Sequence, residues 1–136
     1  MENKIVTTKI EVYSYDELNE TDRNLVEQAK KATETSYAPY SKFNVGAAVL
    51  LENGETISGS NQENAAYPSG LCAERTTLFA ANANNPKTPV VALAIACYSN
   101  GHFTEDPASP CGACRQVMLE TEHRFGQPMK VVLYGQ

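Results

Sequence analysis

Two cysteine-bearing segments, Cys72-Ala73-Glu74 and Pro110-Cys111-Gly112-Ala113-Cys114, constrain this chain more than any other feature. Each opens a stretch whose apolar pattern predicts a helix. Cys111 and Cys114 are spaced i, i+3, so at a helix start both sulfurs lie on one face. The unpaired N–H groups and the positive dipole end of a helix start favour thiolate over thiol. Cys72 holds the same place at the start of the other predicted helix. If the fold brings the two helix starts face to face, three thiolates can surround one Zn²⁺. Three protein ligands leave one tetrahedral corner open, the pattern of a catalytic rather than a structural zinc.

Glu74 follows the first ligand by two residues, close enough to reach a water at the open corner and badly placed to be a fourth ligand. A carboxylate beside such a water can take its proton and deliver it elsewhere. An isolated glutamate at a helix start is ordinarily a favourable dipole contact; the neighbouring thiols change its meaning. Zn²⁺ with three thiolates carries one net negative charge and is a weak Lewis acid unless a cation donates hydrogen bonds to sulfur. Arg75 is placed to do so, and Arg115 is a second candidate; either can equally be a surface arginine.

Other uses of the cysteines are open at this level. Cys-x-x-Cys at a helix start also suits a redox pair, which leaves Cys72-Ala73-Glu74 without a role. A closed structural zinc needs a fourth ligand from Cys97, His102 or His123. Cys97 lies in an apolar run and reads as a small buried hydrophobe. His102, in a loop before the second cysteine pair, is the most plausible competitor, and His123 is distant on its helix. There is no Ser–His–Asp arrangement and no phosphate-binding glycine loop.

With 136 residues and 42% hydrophobic content, the chain can build one core without disulfides. Eleven Lys+Arg against 16 Asp+Glu give a formal charge of −5, which disfavours a polynucleotide ligand but not an uncharged nucleoside. No apolar run approaches membrane-spanning length and no secretory signal opens the chain, so a cytoplasmic location with reduced thiols is expected.

Along the chain, Ile5 to Tyr13 alternate weakly and suggest a short strand or arm. Ser14 and Glu17 have capping-box spacing ahead of a helical stripe of Leu18, Leu25, Val26, Ala29 and Ala32, which Pro39 ends. Val45 to Leu51 reads as a strand, Asn53-Gly54 as a hairpin turn with both residues at positive φ, and Ile57 as part of the returning strand. A helix over about Leu71–Ala83 sets Leu71, Arg75, Leu78 and Phe79 on one side and stops at Asn84-Asn85-Pro86. Val90 to Tyr98 suits a strand covered on both faces, Gly101 to Ser109 a loop, Cys111 to Arg124 a helix capped by Gly126, and Lys130 to Tyr134 a last strand. The expectation is an α/β fold: one mixed sheet with helices on its faces.

The two cysteine segments form the three-cysteine variant of the zinc-deaminase signature. With Tyr40-Ser41-Lys42-Phe43-Asn44-Val45-Gly46-Ala47-Ala48 and Asn61-Gln62-Glu63-Asn64-Ala65-Ala66-Tyr67-Pro68, the chain resembles small homotetrameric cytidine deaminases from about Ala29 to Leu133. The resemblance implies a three-layer α/β/α domain over residues 1–136 and one zinc per chain, held by Cys72, Cys111 and Cys114. It implies deamination of cytidine and 2′-deoxycytidine in pyrimidine salvage, with Glu74 protonating N3 of cytosine and then the departing amine. Phe43 would pack on the pyrimidine, and Asn61 and Glu63 would bind the ribose 3′-hydroxyl. The Ala73 N–H would meet the base carbonyl, the Ser109 carbonyl would meet the leaving amine, and Ala65 and Tyr67 would reach a neighbouring subunit's site.

Taken without the resemblance, Phe43 reads as core packing and Tyr67 as a loop anchor. Asn61 and Glu63, spaced i, i+2, would share one face of an extended segment, as solvated strand residues or as a clamp for sugar hydroxyls. The family pattern continues past the last strand with a further strand and a helix bearing an aromatic, which has no match before Gln136; the segment before Leu18 has none either. Two other functions compete: a three-cysteine deaminase acting on another cytosine nucleoside such as blasticidin S, and a non-catalytic zinc-stabilised interaction module. The second demands four protein ligands and no ammonia release.

Overall fold

The computed structural model describes residues 1–136. Five strands form one mixed sheet: β1 (Asn44–Leu51), β2 (Thr56–Ser60), β3 (Val90–Ser99), β4 (His102–Phe103) and β5 (Lys130–Leu133). Three helices complete the chain: α1 (Glu20–Ala32), α2 (Ala73–Asn84) and α3 (Gly112–Phe125). β1 lies between β2 and β3 and runs antiparallel to both. β4 and β5 share the far edge of β3, antiparallel and parallel to it respectively.

Alternation along β3 assigns the two faces. Ala92, Ala94 and Ala96 pack with Ala48 against Leu25, Val26 and Ala29 of α1. Leu93, Ile95 and Cys97 pack with Leu78, Ala81, Cys114 and Met118 on the α2/α3 side. The alanine face lets α1 lie close: a Cβ added at Gly46 would sit 2.0 Å from the Ala29 carbonyl oxygen. Helices therefore cover both faces, as expected, with α1 alone on one and the two cysteine-bearing helices together on the other.

Several local expectations are corrected. Ile5 to Tyr13 form no strand; the segment is irregular and exposed, so the arm alternative holds. Ser14 and Glu17 do cap, the Glu17 carboxylate accepting the Ser14 N–H at 2.7 Å, but they close a 3₁₀ turn over Tyr15–Glu17. α1 begins later, where the Asn19 side chain accepts the Asp22 N–H at 2.8 Å, so Leu18 precedes the helix. In the hairpin only Gly54 has positive φ (88°); the Gly54 N–H donates to Leu51 O, and Asn53 instead accepts from the Glu55 N–H. Phe79 lies on the outer side of α2, 45% exposed, while Ala73, Thr77, Leu78 and Ala81 make the buried stripe. The Gly101–Ser109 loop contains β4, too short for a periodicity signal but able to pair with Tyr98 and Ser99. No helix is long and apolar enough to cross a membrane.

Candidate active site

α2 and α3 pack side by side on one sheet face with their cysteine-bearing N-termini adjacent. Cys72 is the residue capping α2, Cys111 caps α3, and Cys114 lies in the first turn of α3. Their three sulfur atoms all lie within 4.8 Å of one another, and Cys72 Sγ stands 3.9 Å from Cys111 Sγ. Tetrahedral geometry with Zn–S bonds of about 2.3 Å requires sulfurs about 3.8 Å apart, so the triad fits a single zinc. No histidine joins this group. His102 instead places Nδ1 2.7 Å from the Phe103 carbonyl, and Cys97 is a buried thiol pushed up to about 11, mainly by desolvation. The closed four-ligand site therefore lacks its fourth ligand.

Donors surround the sulfurs unequally. Cys111 Sγ accepts from the Cys114 N–H at 3.5 Å, and that backbone bond holds its thiol below the ordinary value. Cys114 is pushed the other way, first by burial and then by the nearby Glu74 charge. Arg75 Nη2 donates to Cys72 Sγ at 3.5 Å, and this contact raises the guanidinium pKa. Arg115 is turned away, its Nε donating to the Pro110 carbonyl at 3.1 Å. Of the two arginines, Arg75 alone touches sulfur, where its charge would offset the surplus of three thiolates over a divalent ion.

Glu74 is 6% exposed, in the first turn of α2, and its carboxylate hydrogen-bonds to no other residue of the chain. Buried acceptors are ordinarily satisfied, so a carboxylate without a partner next to a metal triad is suited to exchanging protons with a bound molecule. Ala73 is the first residue of α2, where helix geometry leaves the N–H without a helical partner. Ser109 lies on the exposed loop immediately before Pro110 and Cys111.

Joined to the triad's segment through a shared core and the Gln62–Leu71 pairing is a second wall, built from residues 40–45 and 61–63. Phe43 is half-buried and packs against the same core cluster as Cys72 and Cys114. Asn61 and Glu63 point to one side, as their spacing predicts, but what they meet is backbone. Asn61 Nδ2 donates to the Phe43 carbonyl and its Oδ1 accepts the Val45 N–H, both at 2.9 Å. Glu63 Oε1 accepts from the Tyr40 and Ser41 N–H groups at 3.0 and 3.1 Å. Desolvation pulls the Glu63 carboxyl upward, but the Ser41 and Tyr40 donors outweigh it and hold it below its ordinary value. Gln62 exchanges two backbone bonds of 2.9 Å with Leu71, beside Cys72, a link with no sequence signal beyond the alternation of its neighbours. Ala65 is exposed and Tyr67 is 92% exposed in a 3₁₀ turn on the surface.

Three cysteine sulfurs at two helix starts, with an unpartnered carboxylate in the first turn, define a catalytic zinc centre of the hydrolytic deaminase class. Comparison with known proteins agrees and is more specific. A family model described as the cytidine and deoxycytidylate deaminase zinc-binding region matches residues 19–127. The chain belongs to this cytidine deaminase family. Its curated relatives include the cytidine deaminase of Halalkalibacterium halodurans, 48% identical over 96 residues that cover 71% of this chain and 68% of the relative. The cytidine deaminase of Sporosarcina psychrophila is 49% identical over 96 residues, 71% of this chain and 66% of the relative. The chain thus spans about two thirds of these relatives' length. A crystal structure of cytidine deaminase from Burkholderia pseudomallei superposes with a TM-score of 0.68 at 44% identity, covering 83% of this chain and 84% of that one.

Proposed function

We propose that this chain deaminates cytidine and 2′-deoxycytidine by hydrolysis, releasing ammonia and leaving uridine or 2′-deoxyuridine. The observation that carries the reading is the sulfur triad, all within 4.8 Å, with Glu74 buried beside it. Zinc, when bound by Cys72, Cys111 and Cys114, supplies a Lewis acid that makes water nucleophilic near neutral pH. Glu74 accepts a proton from the attacking water and donates it to N3 of the pyrimidine; it then takes the proton of the hydroxyl added at C4 and passes it to the amine, which departs as ammonia while the C4 carbonyl forms. Its burial in the first turn of α2 lets it act in both directions without losing protons to bulk solvent. Arg75 tempers the thiolates by donating to Cys72. The free N–H of Ala73 donates to the base carbonyl, the Ser109 carbonyl accepts from the leaving amine, and Phe43 lies against the ring. Asn61 and Glu63 border the sugar, and the free Glu63 oxygen accepts the 3′-hydroxyl.

The exposed Ala65 and Tyr67 suit a contact with the site of a second copy, consistent with a homotetramer acting in the cytoplasm as a pyrimidine-salvage enzyme. In this reading residues 1–136 work as one catalytic domain. The deciding experiment follows ammonia release and the ultraviolet change on cytidine, 2′-deoxycytidine and blasticidin S, with zinc content measured in the same sample. Turnover of the two simple nucleosides with one zinc per chain supports the proposal. Turnover of blasticidin S alone moves the assignment to that relative's chemistry, and bound zinc without any ammonia returns it to the interaction module.

A further inference from the structure

We propose that Asn61 and Glu63 are positioning residues that fix Phe43 relative to the metal triad, whatever they also do for the sugar. The inference rests on the deaminase reading above and concerns how its pyrimidine wall is held. Residues 61–63 behave as a splint between two parts of the site. On one side, the Asn61 side chain copies a peptide unit, donating to the Phe43 carbonyl and accepting from the Val45 N–H, and so continues the β1–β2 ladder beyond Ser60. Two residues on, one Glu63 oxygen gathers the consecutive N–H groups of Tyr40 and Ser41, a concave pair of donors that suits an anion. On the other side, Gln62 pairs through its backbone with Leu71, the residue before Cys72. A third tie holds the splint to the end of α1's connection: the Tyr37 N–H donates to Asn61 O, and the Glu63 N–H to Tyr37 O.

The loop being held needs it. Lys42 has φ 58°, a left-handed conformation that costs a non-glycine residue about 1–2 kcal/mol, so the segment does not adopt this shape by itself. Asn61 is 9% exposed and both ends of its amide are engaged, so removing the side chain frees the Phe43 carbonyl and the Val45 N–H together. A ring displaced by about 1 Å can cost as much as a hundredfold in rate, although Asn61 is remote from the reacting atoms.

One substrate comparison, one double-variant comparison and one optical measurement test this. Asn61→Ala should lower kcat/KM for cytidine about tenfold or more, and most of that loss should persist on 3′-deoxycytidine, which lacks the hydroxyl. In a Phe43→Ala background the same substitution should add less than about threefold, because the ring it positions is gone. The chain contains no tryptophan, so Phe43→Trp supplies a single tryptophan at the loop, excited apart from the seven tyrosines. Its anisotropy, read without substrate, should fall when Asn61→Ala is added. The inference is overturned if the loss shrinks below about twofold on 3′-deoxycytidine, if the two substitutions multiply fully, or if the anisotropy is unchanged. Should Asn61→Ala fail to fold or to hold zinc, Asn61→Asp replaces it, keeping the acceptor for Val45 and setting a second acceptor against the Phe43 carbonyl in place of the donor. A wild-type protein inert towards cytidine strikes at the activity itself, whereas an active wild type with additive variants strikes only at the splint.

Discussion

The two walls of the site are built on different principles. On the metal wall, every working group projects from the N-cap or first turn of a helix: Cys72 and Glu74 at α2, Cys111 and Cys114 at α3. These side chains turn towards a common point, and Glu74 spends no hydrogen bond on its own chain. On the other wall the polar side chains are spent almost entirely on backbone, four bonds from Asn61 and Glu63 to residues 40–45. Regular structure supplies the precision on one side, because helix packing on the sheet sets where a first turn lies. A loop has no such support, and its shape has to be imposed by side chains from elsewhere. In the proposed reaction, chemistry that moves protons sits on the rigid wall and recognition on the braced one.

The contrast is tested hardest at Glu74. Glu74→Gln keeps the shape of the side chain and removes its ability to carry a proton, so turnover should fall by about 10²–10⁴-fold while zinc content stays at one per chain. Ammonia release and metal analysis on the same sample check this; turnover near the wild-type rate would remove Glu74 from the reaction. Arg75 should matter less, because it acts on the metal only through sulfur. Arg75→Ala takes away the donor to Cys72 and leaves the thiolate surplus uncompensated, with an expected loss of about 10–100-fold in activity or metal affinity. Arg75→Lys restores the charge without the planar fork and should recover part of it. Kinetics and zinc retention under a competing chelator measure both variants, and full activity in Arg75→Ala would show that the charge needs no offset.

The same contrast explains what the sequence disclosed. The metal wall was legible because its logic is local: i, i+3 spacing at a helix start determines where two sulfurs point, and the Cys72 segment repeats the placement. Strand β3 was legible because a strand covered on both faces cannot avoid being apolar throughout. The hairpin was legible in position but not in type, since Asn-Gly suits a turn with two positive φ angles and the chain uses only Gly54 in that way. β4 was invisible because two residues have no periodicity. The grip of Asn61 on Phe43 and Val45 was hidden for a different reason. An asparagine two residues from a glutamate announces a shared face, yet nothing in it says whether a ligand or the chain's own backbone lies opposite. Arg75 and Arg115 were equivalent on paper until the packing of α3 turned Arg115 onto the Pro110 carbonyl.

The smallest expected effect sharpens the comparison most. Lys42 sits at φ 58° within the braced loop, its N–H bonded to Ala38 O at 3.1 Å and its carbonyl accepting from the Ser99 hydroxyl at 3.3 Å. Lys42→Gly relieves a left-handed conformation worth about 1–2 kcal/mol but gives the unfolded chain extra freedom worth about 0.5–1 kcal/mol. The two contributions partly cancel, so the unfolding free energy from denaturant titration should rise by about 1 kcal/mol or less. Both backbone bonds survive the change, and Asn61 and Glu63 still hold the loop, so kcat/KM for cytidine should stay within about threefold of wild type. A larger fall in kcat/KM with unchanged stability would mean that the lysine side chain itself meets the substrate. A fall in stability would mean that the loop is held by its own conformational preference rather than by the splint, and the distinction drawn between the two walls would fail at that point.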